Sequence, residues 1–263
     1  MVTSHPNNHW PVAERRDTYL IGQVFSVTLL LVFCAQAVNL WGVDLIVARW
    51  FFDARTNVFP HHASRTLEIL GHRLVLVAPV GVAIAAAGAA VASRWLPALR
   101  PWRGVLWATA LTCALGQVVI AQLKHYTALP RPYDLSMFGG YAPYPDRFWA
   151  VSRRDAGGAL PSGHAGAGYA LLSLYFAGWA AGRPAWRWTG LAIGLAAGIG
   201  FSLVRIAQGA HFLSQTLWSA AVMWFIASLL FYPLLVRSGS RPARQGGKAG
   251  AYMARAGAAN GAP

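Results

Sequence analysis

The sequence predicts an all-α, polytopic membrane protein with six transmembrane helices in one bundle. Three observations carry that expectation. Of the 263 residues, 56% are hydrophobic and only 11% are charged. Apolar runs of about twenty residues recur, each long enough to cross the hydrocarbon core of a bilayer. Short Arg-bearing loops separate several of these runs, as expected of a chain that crosses a membrane repeatedly.

Residues 1–17 are polar and end in Arg15-Arg16-Asp17. The first span follows, from about Tyr19 to Trp41. Ala35-Gln36-Ala37 resembles a cleavage site and Arg15-Arg16 a twin-arginine signal, but the further spans downstream favour an uncleaved first helix. Residues 43–72 mix aromatic, Arg and Asp positions, which suits a segment lying at the membrane interface. His61-His62 within it reads as an exposed loop pair, since adjacent histidines project differently. The second span covers about Leu74 to Val91 and the third about Val105 to Leu123, with Arg94, Arg100 and Arg103 between them. A connection of about 37 residues then runs to Leu160, dense in Tyr, Phe and Trp, which favours an ordered loop. The fourth span runs from Ser162 to about Ala181. The fifth, about Gly190 to Val204, carries Gly190, Gly194 and Gly198 on one face, a spacing that lets another helix approach closely. The sixth runs from about Phe212 to Val236. Residues 237–263 are Gly/Ala/Arg-rich with no apolar face, and they read as a disordered basic tail.

The net charge of +14 comes from 20 Arg and 2 Lys against 8 acids. In a soluble protein it would suggest nucleic acid. Here much of it lies in short inter-span loops and the tail, where it sets orientation and attracts anionic headgroups, so nucleic acid is not an expected partner. Six spans put both termini on one side. The cytoplasmic side is favoured, because most basic residues opposite it lie in the long loops 43–72 and 124–160, which count little. Cys34 and Cys113 lie inside apolar runs and read as small core residues.

Three polar stretches break the apolar pattern, and this topology puts all three on the external face. In Lys124-His-Tyr-Thr-Ala-Leu-Pro-Arg131-Pro132, Lys124 closes a helix and the two prolines hold Arg131 on a stiff turn. In Pro161-Ser162-Gly163-His164, a small pair opens a helix whose free N–H groups favour an anion. Here Ser162 offers a hydroxyl, Gly163 close approach, and His164 a proton donor or acceptor. Arg205 brings a forked donor matched to phosphate oxygens, and His211 follows at the mouth of the last span. Singly, each has an ordinary explanation as a helix-end cation or cap. Jointly they amount to three cations, two histidines and a helix N-terminus at one membrane face. That is a cage for a phosphoryl dianion, with two groups left for acid–base or nucleophilic work.

Lys-x6-Arg-Pro, Pro-Ser-Gly-His and Arg-x5-His, in this order and membrane placement, resemble the three-part signature of the phosphatidic-acid phosphatase type 2 superfamily. That superfamily also includes vanadate-dependent haloperoxidases and bacterial acid phosphatases. The resemblance implies a metal-independent phosphohydrolase, without cofactor, working through a phosphohistidine. His211 would be the nucleophile, and His164 the acid toward the leaving group and then the base toward water. Lys124, Arg131, Ser162, Gly163 and Arg205 would bind the phosphoryl oxygens. No acidic cluster for Mg²⁺ lies near these stretches. The implied protein is a lipid-phosphate phosphatase of the bacterial cytoplasmic membrane, with its membrane domain at 18–236 and membrane lipids and the lipid substrate as partners.

Two positions depart from the family pattern. Val204 stands where Ser is usual, and Gln215 stands where the family has Asp, one turn from His211. Gln can accept the ring N–H but brings no charge. In the serine-protease template the corresponding acid-to-amide change costs about 10⁴ in rate, an upper guide because a wrong tautomer was involved there. Two other readings therefore stay open: a phosphotransferase that passes the phosphoryl group to another lipid, and a weakly active or non-catalytic binder of lipid phosphates.

Overall fold

The computed structural model describes residues 16–69 and 75–236. The tail at 237–263 and all but the last two residues of the segment 1–17 lie outside them. The described residues are all-helical, and their only extended pairing is in isolated bridges at Asp53–Val58, Thr127–Trp149 and Leu135–Ala142. The helices are α1 (Arg16–Leu40), α2 (Val43–Phe51), α3 (Arg65–Glu68), α4 (Val75–Ala92) and α5 (Arg103–Leu123). After the long connection come α6 (Gly163–Tyr169), α7 (Ser173–Ala180), α8 (Pro184–Ala207) and α9 (Leu213–Leu235).

Four stretches are long and apolar enough to cross a membrane: Arg16–Leu40, Pro97–Leu123, Pro184–Ala207 and Leu213–Leu235. The other two expected spans are built differently. The apolar stretch Val77–Ala92 of α4 is shorter. The fourth expected span is two helices, α6 and α7, joined through a 3-10 turn at Ala170–Leu172. Large apolar side chains such as Leu29, Phe33, Ile84, Val118 and Leu203 point outward, which suits a bilayer and not water.

The glycine stripe on α8 does what its spacing predicts. A Cβ at Gly190 would meet the Leu174 backbone at 2.5 Å, one at Gly194 the Leu172 backbone at 2.7 Å, and one at Gly198 the Tyr169 ring at 2.1 Å. The broken α6–α7 rod therefore lies directly on α8, at a distance only hydrogen atoms can fill. Gly194→Ala should destabilise the protein by about 1–3 kcal/mol through overpacking. Gly200→Ala is the matched control: a Cβ there meets nothing within 4 Å, and alanine favours helix over glycine. Thermal midpoints of the two variants in one detergent check the contrast.

A core runs through the bundle around Tyr19, Phe176, Met223 and Phe231. The Tyr19 hydroxyl donates to the Ser228 carbonyl at 2.8 Å and Trp224 Nε1 to the Gln23 carbonyl at 2.7 Å, which ties α1 to α9. A second apolar cluster, with Phe59, Leu129, Leu135, Phe138, Leu160 and Phe212, covers one end of the bundle. It joins residues 43–64 to the long connection after α5. Ala128 N–H donates to the Phe148 carbonyl and Ala150 N–H to the Tyr126 carbonyl, both at 2.9 Å. The Thr127 hydroxyl donates to the Leu160 carbonyl at 2.7 Å. Backbone polar groups in the connection thus pair internally, and its aromatic side chains supply the cluster. The loop is an ordered cap over the helix ends.

Candidate active site

Four helix ends meet beneath that cap: the C-termini of α5 and α8 and the N-termini of α6 and α9. Direct bonds lock them together. Ser162 N–H donates to the Gln215 carbonyl at 3.1 Å, and the Ser219 hydroxyl donates to the Ser162 carbonyl at 2.8 Å. The structure therefore brings the three polar stretches of the sequence to one place.

Lys124 ends α5, and its Nζ lies 3.3 Å from where a Cβ of Gly163 would be. Any side chain at 163 would crowd the ammonium, which is why glycine fits there. Partial burial pulls the Lys124 ammonium below its usual range, and Arg131 and Arg205 nearby add to the shift. Arg131 sits in extended backbone between its two prolines, and its guanidinium contacts the Tyr133 hydroxyl and packs against that ring. Arg205, in the last turn of α8, donates from Nη1 to Gln208 Oε1 at 2.8 Å. Three cations gathered this closely repel one another, so an anion of two charges between them is the natural complement.

Ser162 is fully buried, and its Oγ accepts from Ala165 N–H at 3.3 Å, the cap of α6. The hydroxyl expected to face a phosphate thus also starts the helix. His164 follows on the first turn of α6 and lies within electrostatic reach of His211.

His211 is 4% exposed and stands just before α9, after Gly209. Gly209 adopts φ +65°, and a Cβ there would sit 2.5 Å from the Phe59 ring, so the turn that delivers His211 needs glycine twice over. Burial holds the His211 imidazole well below its ordinary value, with the Arg205 charge as the next cause and the Gln215 bond acting against both. Burial and the Arg205 charge both favour the neutral ring.

Gln215 explains how that neutral ring is oriented. Its Nε2 donates to the Pro130 carbonyl at 3.0 Å, and its Oε1 accepts from Phe212 N–H at 3.0 Å. A carbonyl only accepts and a backbone N–H only donates, so these two partners fix which way the amide points. The same Oε1 lies 3.0 Å from His211 Nδ1, and the bond forms only if Nδ1 carries the proton. Nε2 is then the nitrogen with the lone pair. Gln215 is also the third residue of α9 reaching back to the helix's first N–H, half of a capping box.

Several supporting residues are not among those the sequence pattern singles out. Asp44 of α2 is buried and accepts from Ser214 N–H at 2.8 Å and from the Ser214 hydroxyl, capping α9 from a distant helix. Asn39 donates to it at 3.2 Å and to the Tyr144 hydroxyl at 3.2 Å. Burial pushes the Asp44 carboxyl up, while the bonds from Ser214 and Asn39 pull it back. An acid inside the apolar run Val43–Val47 was the clue available. Asp44→Ala should cost about 1–3 kcal/mol by stranding the Ser214 donors. Asp44→Asn should recover much of it, since its carbonyl oxygen still accepts from Ser214 N–H, and thermal midpoints of both variants test this. Gln208, which holds Arg205, is another such support. His62 lies against the Tyr133 ring, with Nδ1 3.3 Å from the Gln208 carbonyl. Among the described residues no group of three or more His, Cys, Asp or Glu could hold a metal ion.

The family model of the PAP2 superfamily matches residues 104–237, which include all three polar stretches. No curated protein and no solved structure matches the chain.

Proposed function

The chain belongs to the PAP2 superfamily and is on that ground a phosphatase-type hydrolase, and from this premise we propose that it cleaves lipid phosphate monoesters or pyrophosphates through a phosphohistidine on His211. His211 Nε2 attacks phosphorus, and the bond from phosphorus to the lipid oxygen breaks. Protonated His164 gives its proton to that oxygen, and the leaving group departs, an alcohol from a monoester and a lipid monophosphate from a pyrophosphate. His164, now neutral, takes a proton from water, whose oxygen attacks the phosphohistidine. The P–N bond breaks, the electron pair returns to Nε2, and inorganic phosphate leaves. Lys124, Arg131 and Arg205, with Ser162 and the Gly163 N–H, hold the three equatorial oxygens.

The observation that carries this reading is the His211–Gln215–Pro130 chain, because with Nδ1 donating to Gln215 the proton is not on Nε2, and Lys124 and Arg205 lie within electrostatic reach of the ring. Four helices long and apolar enough to cross a membrane support a membrane-embedded enzyme. The proposed topology has α4 and the α6–α7 rod as the two remaining passes and the termini in the cytoplasm. Its site then faces outward from a bacterial cytoplasmic membrane. A second reading, a binder without turnover, draws on the neutral Gln215. Transfer to another lipid would use the same covalent step.

A phosphate-release screen decides among these readings. Purified protein is given phosphatidic acid, phosphatidylglycerol phosphate, undecaprenyl pyrophosphate and lipid A phosphates, with His211→Ala as the blank. Release above the blank from at least one class supports hydrolysis. Label passing from donor to acceptor lipid marks transfer, and binding with neither supports the binder.

A further inference from the structure

Two hollows lie along α5 below the cage. The upper, about 330 Å³, is lined by Lys124, Gly163, Ile120 and Gln117 among others. The lower, about 290 Å³, lies between α4, α5 and α6 and is lined by Val80, Ile84, Cys113, Ala167 and again Gln117. Gln117 is the residue common to both. Seven residues before Lys124, it lies two turns down the same face of α5.

The Gln117 amide nitrogen is buried and has no hydrogen-bond partner among the described residues. It lies 3.5 Å from where a Cβ of Gly166 would be, just as Lys124 Nζ lies 3.3 Å from the Cβ position of Gly163. Those two glycines are neighbours one turn apart on α6, about 5–6 Å between Cβ positions. The α5–α6 seam therefore presents, in order, an ammonium beside Gly163, an unpaired amide donor deeper beside Gly166, and then hydrocarbon. An unmet donor in such a place is costly unless solvent or a ligand supplies the acceptor.

Resting on the reading that this site cleaves lipid phosphates, we infer that Gln117 is a specificity residue that donates to an ester carbonyl of an acylglycerol phosphate. An acylglycerol phosphate carries its groups in the order of the seam: phosphate, then ester carbonyls across a glycerol, then acyl chains. The phosphate lies at Lys124, a carbonyl accepts from Gln117 Nε2, and one chain runs into the apolar lower hollow. A prenyl monophosphate has hydrocarbon where this carbonyl would be and leaves the amide unmet.

The test compares dioleoyl phosphatidic acid with its dialkyl ether analogue, which keeps the phosphate and chains but lacks both carbonyls, in mixed micelles with purified protein. Wild type should favour the ester in kcat/KM by about tenfold, which corresponds to about 1.4 kcal/mol. Gln117→Leu, close in volume, should bring the ester-to-ether ratio to about one. The wild-type comparison needs no variant to fold. A wild-type ratio near one, or a ratio in Gln117→Leu as large as in wild type, overturns this inference and leaves the proposed hydrolysis standing. No phosphate from either lipid, nor from undecaprenyl pyrophosphate, overturns both.

Discussion

His211→Ala should abolish phosphate release from the lipid substrate, a loss of at least about 10⁴-fold. Removing the nucleophile of a covalent mechanism takes away the whole first step, and in the serine-hydrolase template the comparable loss is about 10⁶ in kcat. The cage would remain, so lipid-phosphate binding should persist, and KM or a binding constant should change far less than kcat. Steady-state rates with a direct binding measurement separate the two. Comparable losses of binding and turnover would place His211 in the cage and not at phosphorus.

The next largest effect is expected at Gln215. Gln215→Leu removes the acceptor for His211 Nδ1–H and for Phe212 N–H, and strands the Pro130 carbonyl. Turnover should fall by up to about 10⁴, the order of the loss when the orienting carboxylate of a serine hydrolase is removed. Gln215→Glu has the same length and still accepts from both N–H groups, but it sets a carboxylate against the Pro130 carbonyl. Its charge favours the imidazolium, so it should raise the His211 pKa.

In wild type, burial and Arg205 hold His211 below its ordinary value, so the acid limb it sets in kcat/KM lies below the ordinary imidazole range. In Gln215→Glu that limb should move to higher pH. Stability follows the same sign. The unfolded chain takes up this proton more readily than the fold, so the contribution present above the ordinary imidazole value is lost as pH falls through the folded one. An acid limb that stays in place in Gln215→Glu would mean that Gln215 does not act through His211.

That the three polar stretches meet was legible in the sequence because their residues are expensive where they occur. Lys124, Arg131, His164, Arg205 and His211 interrupt apolar runs, and their spacing, with Ser162 and Gly163, resembles a family signature. The α8 glycine stripe was legible because its contact depends only on helical period. What stayed hidden depends on tertiary packing. Asp44 meets Ser214 across 170 positions of chain, and Pro130 meets Gln215 through a backbone carbonyl that no residue identity reveals. The 3-10 turn that divides α6 from α7 also left no trace in composition, since Ala170-Leu171-Leu172 reads as helix. Gln215 itself changed meaning. In the sequence it was a missing carboxylate; in the structure it is an amide with both ends used, and only one end could be replaced by an acid.

The most direct measurement is to trap the enzyme during turnover of a lipid substrate labelled in its phosphate, denature it in alkali and locate the label. Phosphohistidine is a phosphoramidate, stable to alkali and labile to acid. Acid-labile label is expected on His211 in wild type and none in His211→Ala. Label retained in His211→Ala, or steady phosphate release from wild type with no labelled protein at any time, would contradict it.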